Sequence, residues 1–226
     1  MRGDVSHTVT GHAERYQPHD LLWIRGLHAL ACAEALPEWV GAARLAKAPV
    51  VVRREQLADP MLVPVGVRGE TREQRLRCHV HHDAVLRSMR PEQLLSGAVW
   101  QNRVALPRFP VVTALEALMP SLDATGLCWG PTGSMGFSLA TGIPVMHADS
   151  DLDLVVRAPV RLTAVQAELL HAAIEQAPCR VDMQIDTGHG GFSFAEWTRG
   201  KGVLLKTGAG PMLTDDPWRH DDRRLA

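Results

Sequence analysis

Two aspartates separated by one residue are the part of this sequence whose spacing most directly indicates chemistry. Asp151 and Asp153 flank Leu152 at the start of an apolar run that includes Leu154 and Val156. Alternate side chains of a β-strand share a face, so we expect both carboxylates on one face and the apolar residues against a core. Adjacent carboxylates repel each other unless a cation neutralises them, and their hard oxygens suit Mg²⁺. The pattern predicts a magnesium site with Asp151 and Asp153 as metal ligands and catalytic residues.

A third carboxylate is predicted from a second strand-like segment, residues 180–186. Asp182 lies between the apolar residues Val181 and Met183, so its side chain is expected to point away from the core. If the two strands are neighbours, Asp182 joins the catalytic aspartates. Asp186 is the alternative, at the end of the same strand and beside a glycine-rich turn.

A glycine-rich loop, residues 130–134, precedes the aspartates and is expected to join a strand to a helix. Glycine lets the backbone approach a ligand closely, and the free N–H groups at a helix start favour phosphate. The hydroxyl of Ser134 adds another donor. Gly133 and Ser134 are therefore predicted to bind substrate phosphate.

The elements that must position these residues form an α+β fold. Valine-rich segments separated by turn residues predict an antiparallel sheet in a small N-terminal α/β module, at residues 49–53, 63–68 and 74–80. Helical spacing over 110–124 and 163–176, with strands at 152–157 and 180–186, predicts a second domain with a mixed sheet and flanking helices. We place the domains at 1–108, with 1–17 loosely ordered, and at 109–226.

Composition excludes several classes of protein. The net charge of −1 gives no general attraction to nucleic acid. Neither a signal peptide nor a run of about 18 apolar residues is present, so we expect no membrane association and a cytoplasmic location. The four widely spaced cysteines favour reduced thiols over a disulfide framework.

Several longer strings occur in an order that resembles one enzyme family. They are Pro18-His-Asp-Leu-Leu-Trp23, Pro64-Val-Gly-Val-Arg-Gly69, Trp129-Gly-Pro-Thr-Gly-Ser134, Ser150-Asp-Leu-Asp-Leu154 and Asp216-Pro-Trp218. The glycine-serine turn followed by Asp-x-Asp resembles nucleotidyltransferases of the DNA polymerase beta type. Together, the strings are similar to the phosphoribosyl-dephospho-CoA transferase of malonate decarboxylase systems, also called holo-acyl-carrier-protein synthase.

The resemblance implies a substrate and a partner. Such enzymes attach the prosthetic group of 2′-(5″-triphosphoribosyl)-3′-dephospho-CoA to a serine of the malonate decarboxylase acyl carrier protein, with release of pyrophosphate. The resemblance also implies the active-site pair Asp151 and Asp153. Arg68 lies in one of the matching strings and is predicted to bind substrate. Arg157 is a weaker candidate for a phosphate contact.

Other interpretations stay open at this point. The chain is alternatively a transferase of the same fold that acts on another small molecule or carrier, such as the citrate lyase type, or an inactive carrier-binding module. His79 and His81 share a strand face, but no second ligand pair accompanies them as a zinc site requires. The arginines of a basic stretch either contact the coenzyme's phosphates or an acidic carrier protein, or they are solvent-exposed charges paired with nearby glutamates. The stretch comprises Arg53, Arg54, Arg68, Arg72, Arg75 and Arg77.

Overall fold

The computed structural model describes residues 16–71 and 73–219, which form two six-stranded sheets with flanking helices. One sheet is antiparallel throughout and the other is mixed, which confirms the predicted α+β class. Nearly all of the segment expected to be loosely ordered lies outside the described residues. Within them, no helix has the length and apolar character needed to cross a membrane.

The first sheet is built from the N-terminal part of the chain. Its elements are β1 (Leu21–Ile24), β2 (Leu30–Cys32), α1 (Ala42–Leu45), β3 (Val50–Val52), β4 (Leu62–Arg68), β5 (Arg75–His81) and β6 (Val85–Met89). The strand order is β2-β5-β4-β3-β1-β6. On β4 and β5, apolar residues alternate with polar ones, so one face packs on a core and the other carries the arginines.

The second sheet follows a run of short helices. The elements are 3-10 helices at Pro91–Leu95 and Asn102–Ala105, with α2 (Gly97–Gln101), α3 (Pro110–Asp123), β7 (Cys128–Pro131), α4 (Gly133–Thr141), β8 (Leu152–Arg157), α5 (Ala164–Glu175), β9 (Val181–Asp186), β10 (Gly190–Ser193), α6 (Phe194–Trp197), β11 (Val203–Thr207) and β12 (Gly210–Thr214). The order is β12-β11-β10-β9-β8-β7, with β8 and β9 parallel. A parallel pair needs a crossover, which α5 supplies.

Strand β1 belongs to both hydrophobic cores. Leu21 packs into the core of the second sheet, whereas Leu22 and Ile24 pack into the core of the first. The segment from Pro91 to Ala105 follows the last strand of the first sheet, but it packs against β7 and α4 of the second. This segment precedes the domain boundary that the sequence predicts at residues 108/109.

The prediction of reduced thiols is wrong for two of the four cysteines. Cys32 and Cys78 form a disulfide, and they are direct partners in the β2–β5 pairing. The two residues are 46 positions apart in sequence, so their opposition depends on the register of the sheet. Cys128 and Cys179 are free.

Candidate functional site

The glycine-rich loop and the second aspartate lie directly against each other. Gly133 has a φ of +57°, and a Cβ added there would overlap the carboxylate of Asp153. The N–H of Thr132 donates to the Asp153 carbonyl at 2.8 Å. These contacts follow from the antiparallel pairing of β7 with β8, which places Pro131 opposite Leu154. Only glycine fits at position 133, because of both the backbone angle and the space.

Helix α4 presents its amino end at this contact. The N–H of Gly136 donates to the Thr132 carbonyl, so the amide groups of residues 133–135 precede the first bond of the helix. No side chain caps this end. Ser134 is half-buried, and its hydroxyl has no hydrogen-bond partner among the described residues. The loop thus offers amide donors and a hydroxyl to an anion beside Asp153.

The three predicted catalytic aspartates lie at one end of the β8–β9 pair. Asp151 and Asp153 flank the fully buried Leu152, and Asp182 is the direct partner of Asp153 on the neighbouring strand. Asp151 lies 3.6 Å from the guanidinium of Arg180, and Asp182 is exposed to solvent. Register therefore brings Asp182 beside Asp153, as the sequence prediction requires.

The alternative third carboxylate, Asp186, is used differently. It is buried at the far end of β9 and pairs with Arg54 at 3.1 Å and with Arg157. Burial alone raises the pKa of Asp186. The charges of Arg54 and Arg157 and a hydrogen bond from the Gly188 N–H outweigh burial, so the pKa lies below its usual value. Asp186 is thus a structural ion-pair partner in this fold.

The carboxylates of Asp151 and Asp153 suit a magnesium ion whose coordination is completed by a substrate. In the part of the chain that the structure describes, no three His, Cys, Asp or Glu side chains are close enough together to hold a metal. Mg²⁺ commonly binds one or two protein carboxylates and takes its remaining ligands from phosphates and water. Asp151 and Asp153, beside an amide-rich helix end, fit this arrangement. The magnesium site stays a prediction.

The side chain of Arg157, predicted as a phosphate contact, instead binds other groups of the protein. Its Nε donates to Glu92 at 2.9 Å, its other two nitrogens reach Asp186 and the Pro18 carbonyl, and Asp20 lies 3.7 Å away. The guanidinium is mostly buried, so these contacts replace its hydration. Arg157 therefore joins the two halves of the molecule, and its geometry leaves no donor directed at a phosphate.

The sequence reasoning missed His19, which reaches the same sheet face from the other half of the molecule. Its ring Nε2 lies 2.6 Å from the side-chain oxygen of Gln184, two residues along β9 from Asp182. Burial against β9 lowers the pKa of His19, so the imidazole is neutral near pH 7. Its φ of +78° is the one positive value of a non-glycine residue in the described ranges. A left-handed histidine is a costly feature that often marks a functional position.

Arg68, predicted to bind substrate, extends from β4 toward the helix that begins at the loop. Its guanidinium lies 5.8 Å from the ring centre of Phe137, one turn into α4. His79, considered for zinc, instead pairs with Glu55 at 3.0 Å. Of the other arginines in the basic stretch, Arg75 and Arg77 are exposed on β5, Arg53 pairs with Glu55, and Arg54 pairs with Asp186; Arg72 is outside the described residues.

Comparison with known proteins identifies the family. Residues 17–91 match the profile described as phosphoribosyl-dephospho-CoA transferase MdcG N-terminal domain, and residues 95–217 match the corresponding C-terminal domain. The chain belongs to the phosphoribosyl-dephospho-CoA transferase family. This confirms the resemblance seen in the sequence motifs.

Curated relatives in this family align over most of their length. The phosphoribosyl-dephospho-CoA transferase of Pseudomonas aeruginosa is 44% identical over 90% of this chain and 94% of its own. The enzyme of Azotobacter vinelandii is 43% identical over 90% of this chain and 94% of its own length. The enzyme of Klebsiella pneumoniae is 41% identical over 91% of this chain and 98% of its own length. No solved structure matches, so membership of the nucleotidyltransferase superfamily stays a prediction.

The junction between the transferase's two family domains coincides with the Arg157 contacts. Asp20 belongs to the first matched region and Asp186 to the second, while Glu92 lies in the short gap between them. The ion-pair network therefore fixes the N-terminal domain of this transferase over one face of its C-terminal sheet.

Proposed function

We propose that this transferase moves the phosphoribosyl-dephospho-CoA group from 2′-(5″-triphosphoribosyl)-3′-dephospho-CoA to a serine of the malonate decarboxylase acyl carrier protein. The family assignment supports the coenzyme-derived group. The motif strings favour the malonate system over related carriers. The observation that carries the proposal is the close approach of the Gly133 backbone to the Asp153 carboxylate, because it brings the loop proposed to bind phosphate against one of the two carboxylates proposed to bind the metal.

The reaction is a phosphoryl-type substitution at the α-phosphorus of the triphosphate. The serine oxygen of the carrier forms a new bond to that phosphorus, and the bond from phosphorus to the β-bridging oxygen breaks. Pyrophosphate leaves with the bonding electrons. The amides of residues 133–135 and the Ser134 hydroxyl hold the departing pyrophosphate, because they are the free donors at the helix end.

The carboxylates divide the remaining tasks. Asp182, which is exposed beside Asp153, would accept the proton of the carrier serine. Asp151 and Asp153 would hold Mg²⁺, which would neutralise charge on the triphosphate when bound. Arg68, whose guanidinium extends from β4 to Phe137 of α4, would contact the substrate from the N-terminal domain.

Carrier labelling tests this proposal directly. The protein is incubated with the apo carrier subunit, the triphosphoribosyl precursor and Mg²⁺, and the intact mass of the carrier is followed with time. We expect the wild type to add one prosthetic group per carrier. We expect Asp153→Asn to slow labelling by at least about 100-fold, because it removes a charged metal ligand.

Asp149→Asn is the matched control, since it removes the same charge from an exposed position just before the site. It should label the carrier at nearly the wild-type rate. Near-normal labelling by Asp153→Asn, with circular dichroism unchanged, refutes the assignment of the pair. Wild-type protein that labels only a different carrier refutes the malonate decarboxylase partner.

A further inference from the structure

A polar cleft lies between the two halves, away from the aspartates. It has a volume of about 450 Å³. We call it the arginine cleft. Its walls are formed by Ala33, Arg53, Arg54, Glu55, Arg77, His79 and the turn Thr207–Gly210 between β11 and β12. The first sheet thus supplies the charged wall, and the second sheet supplies a wall of small residues.

The charges in the arginine cleft do not cancel. Glu55 accepts from both Arg53 and His79, and Arg54 pairs with Asp186. Burial raises the pKa of Glu55, but the bonds from His79 and Arg53 outweigh it and the pKa is lowered, so this carboxylate is ionised at neutral pH. The side chain of Arg77 is exposed, and its guanidinium has no ion pair or hydrogen bond with any described residue. The cleft therefore keeps an uncompensated positive charge.

The opposite wall is held firmly in place. The Gln56 N–H donates to the Gly208 carbonyl at 2.8 Å, which ties the β11–β12 turn to the segment after β3. A Cβ on Gly208 would lie 3.1 Å from the Gln56 nitrogen, so the two backbones are in close contact. The cleft is consequently formed before any ligand arrives, which lowers the entropy cost of binding.

The arginine cleft and the aspartates lie toward opposite ends of one strand. Arg54, on the cleft wall, contacts Asp186 at the end of β9. Asp182, beside Asp153, is four residues earlier on the same face. Strands rise about 3.3 Å per residue, so the two positions are roughly 13 Å apart. The separation suits an extended ligand that carries phosphate at both ends.

We propose that the arginine cleft binds the diphosphate of the dephospho-CoA portion of the substrate, with Arg77 as its main ionic contact. The inference rests on the proposed function, whose substrate carries two separate polyphosphate groups. The triphosphate is on the added ribose, and the diphosphate links adenosine to the pantetheine arm. The loop and aspartates hold the first group. The arginine cleft holds the second group and orients the coenzyme before transfer.

Binding of dephospho-CoA tests the cleft without any transfer step, because this probe has the diphosphate and lacks the triphosphate. Isothermal titration calorimetry should show that wild-type protein binds the probe and that Arg77→Ala binds it about 10-fold more weakly, a change of about 1.4 kcal/mol. Arg75→Ala is the matched control. It removes the same charge from the same face of β5, two residues outside the cleft, and should change affinity less than 2-fold.

Two outcomes of the binding experiment overturn the inference. One is absence of probe binding to the wild type, and the other is equal weakening by Arg75→Ala and Arg77→Ala, which would indicate general charge attraction. Steady-state labelling gives an independent reading: a raised KM for the precursor with unchanged kcat in Arg77→Ala supports the cleft, and an unchanged KM overturns it. Since probe binding requires no carrier, failure of wild-type transfer counts against the proposed function alone.

Discussion

Replacing Gly133 by alanine tests the geometry on which the candidate active site depends. Two effects are expected. The residue has a φ of +57°, and forcing an L-residue into this region costs about 1–2 kcal/mol. In addition, the new methyl group would overlap the carboxylate of Asp153, which must move. A catalytic group displaced by about 1 Å can cost about 100-fold in rate.

A second glycine separates these two effects. Gly142 ends the same helix with a φ of +72°, but a Cβ added there meets nothing within 4 Å. Gly142→Ala therefore has the free-energy cost of a positive φ without the steric overlap. For a chain of this size, about 1–2 kcal/mol lowers Tm by about 2–8 °C. Both variants should show this shift in a thermal melt.

Carrier labelling then distinguishes the variants. We expect Gly142→Ala to keep nearly the wild-type rate below its melting temperature, and Gly133→Ala to lose at least about 100-fold. Gly133→Ala/Asp153→Asn should be no slower than Asp153→Asn alone, because the glycine acts through that carboxylate. Equal labelling rates for Gly133→Ala and Gly142→Ala would show that the loop–aspartate contact has no part in the reaction.

Three further predictions concern stability. Arg157→Met should lower the free energy of unfolding in urea by about 3–5 kcal/mol, because Glu92 and the buried Asp20 lose their ion pair and Asp186 keeps only Arg54. Arg161→Ala, in an exposed pair, should cost less than about 1 kcal/mol, and equal losses would contradict this. Burial raises the pKa of Asp20 to about 6, above its unfolded value of 3.8, so its contribution to stability should fall by up to about 3 kcal/mol as pH rises from about 4 to 6. Asp20→Asn should remove this fall, and parallel profiles of unfolding free energy against pH for the wild type and the variant would refute the prediction. Reducing the Cys32–Cys78 disulfide, which closes a 46-residue separation, should cost about 4 kcal/mol by loop entropy, and an unchanged Tm in dithiothreitol would count against it.

Much of the fold could be predicted because strong local patterns determine it. The valine-rich runs became β3, β4 and β5, and the periodic segment beginning at Pro110 became α3. Strands β2, β6 and β12 were missed, since they are short and their formation depends on neighbouring strands.

The site was predictable where the chemistry is local in sequence. The Asp-x-Asp spacing and the glycine-serine turn predicted residues that do come into contact. The partners of Arg157 were not predictable, because Asp20 and Asp186 approach it only when the two halves pack. His19 was missed for the same reason: its partner Gln184 is 165 residues away, and no periodic pattern links them.

The double membership of strand β1 has a consequence for how the protein unfolds. Leu21 fills one core while its neighbour Leu22 fills the other, so melting either half uncovers a side of the same short strand. The two family domains are therefore coupled in a way that their separate profiles do not suggest. Calorimetry should record a single cooperative transition, and neither half should be stable when produced by itself.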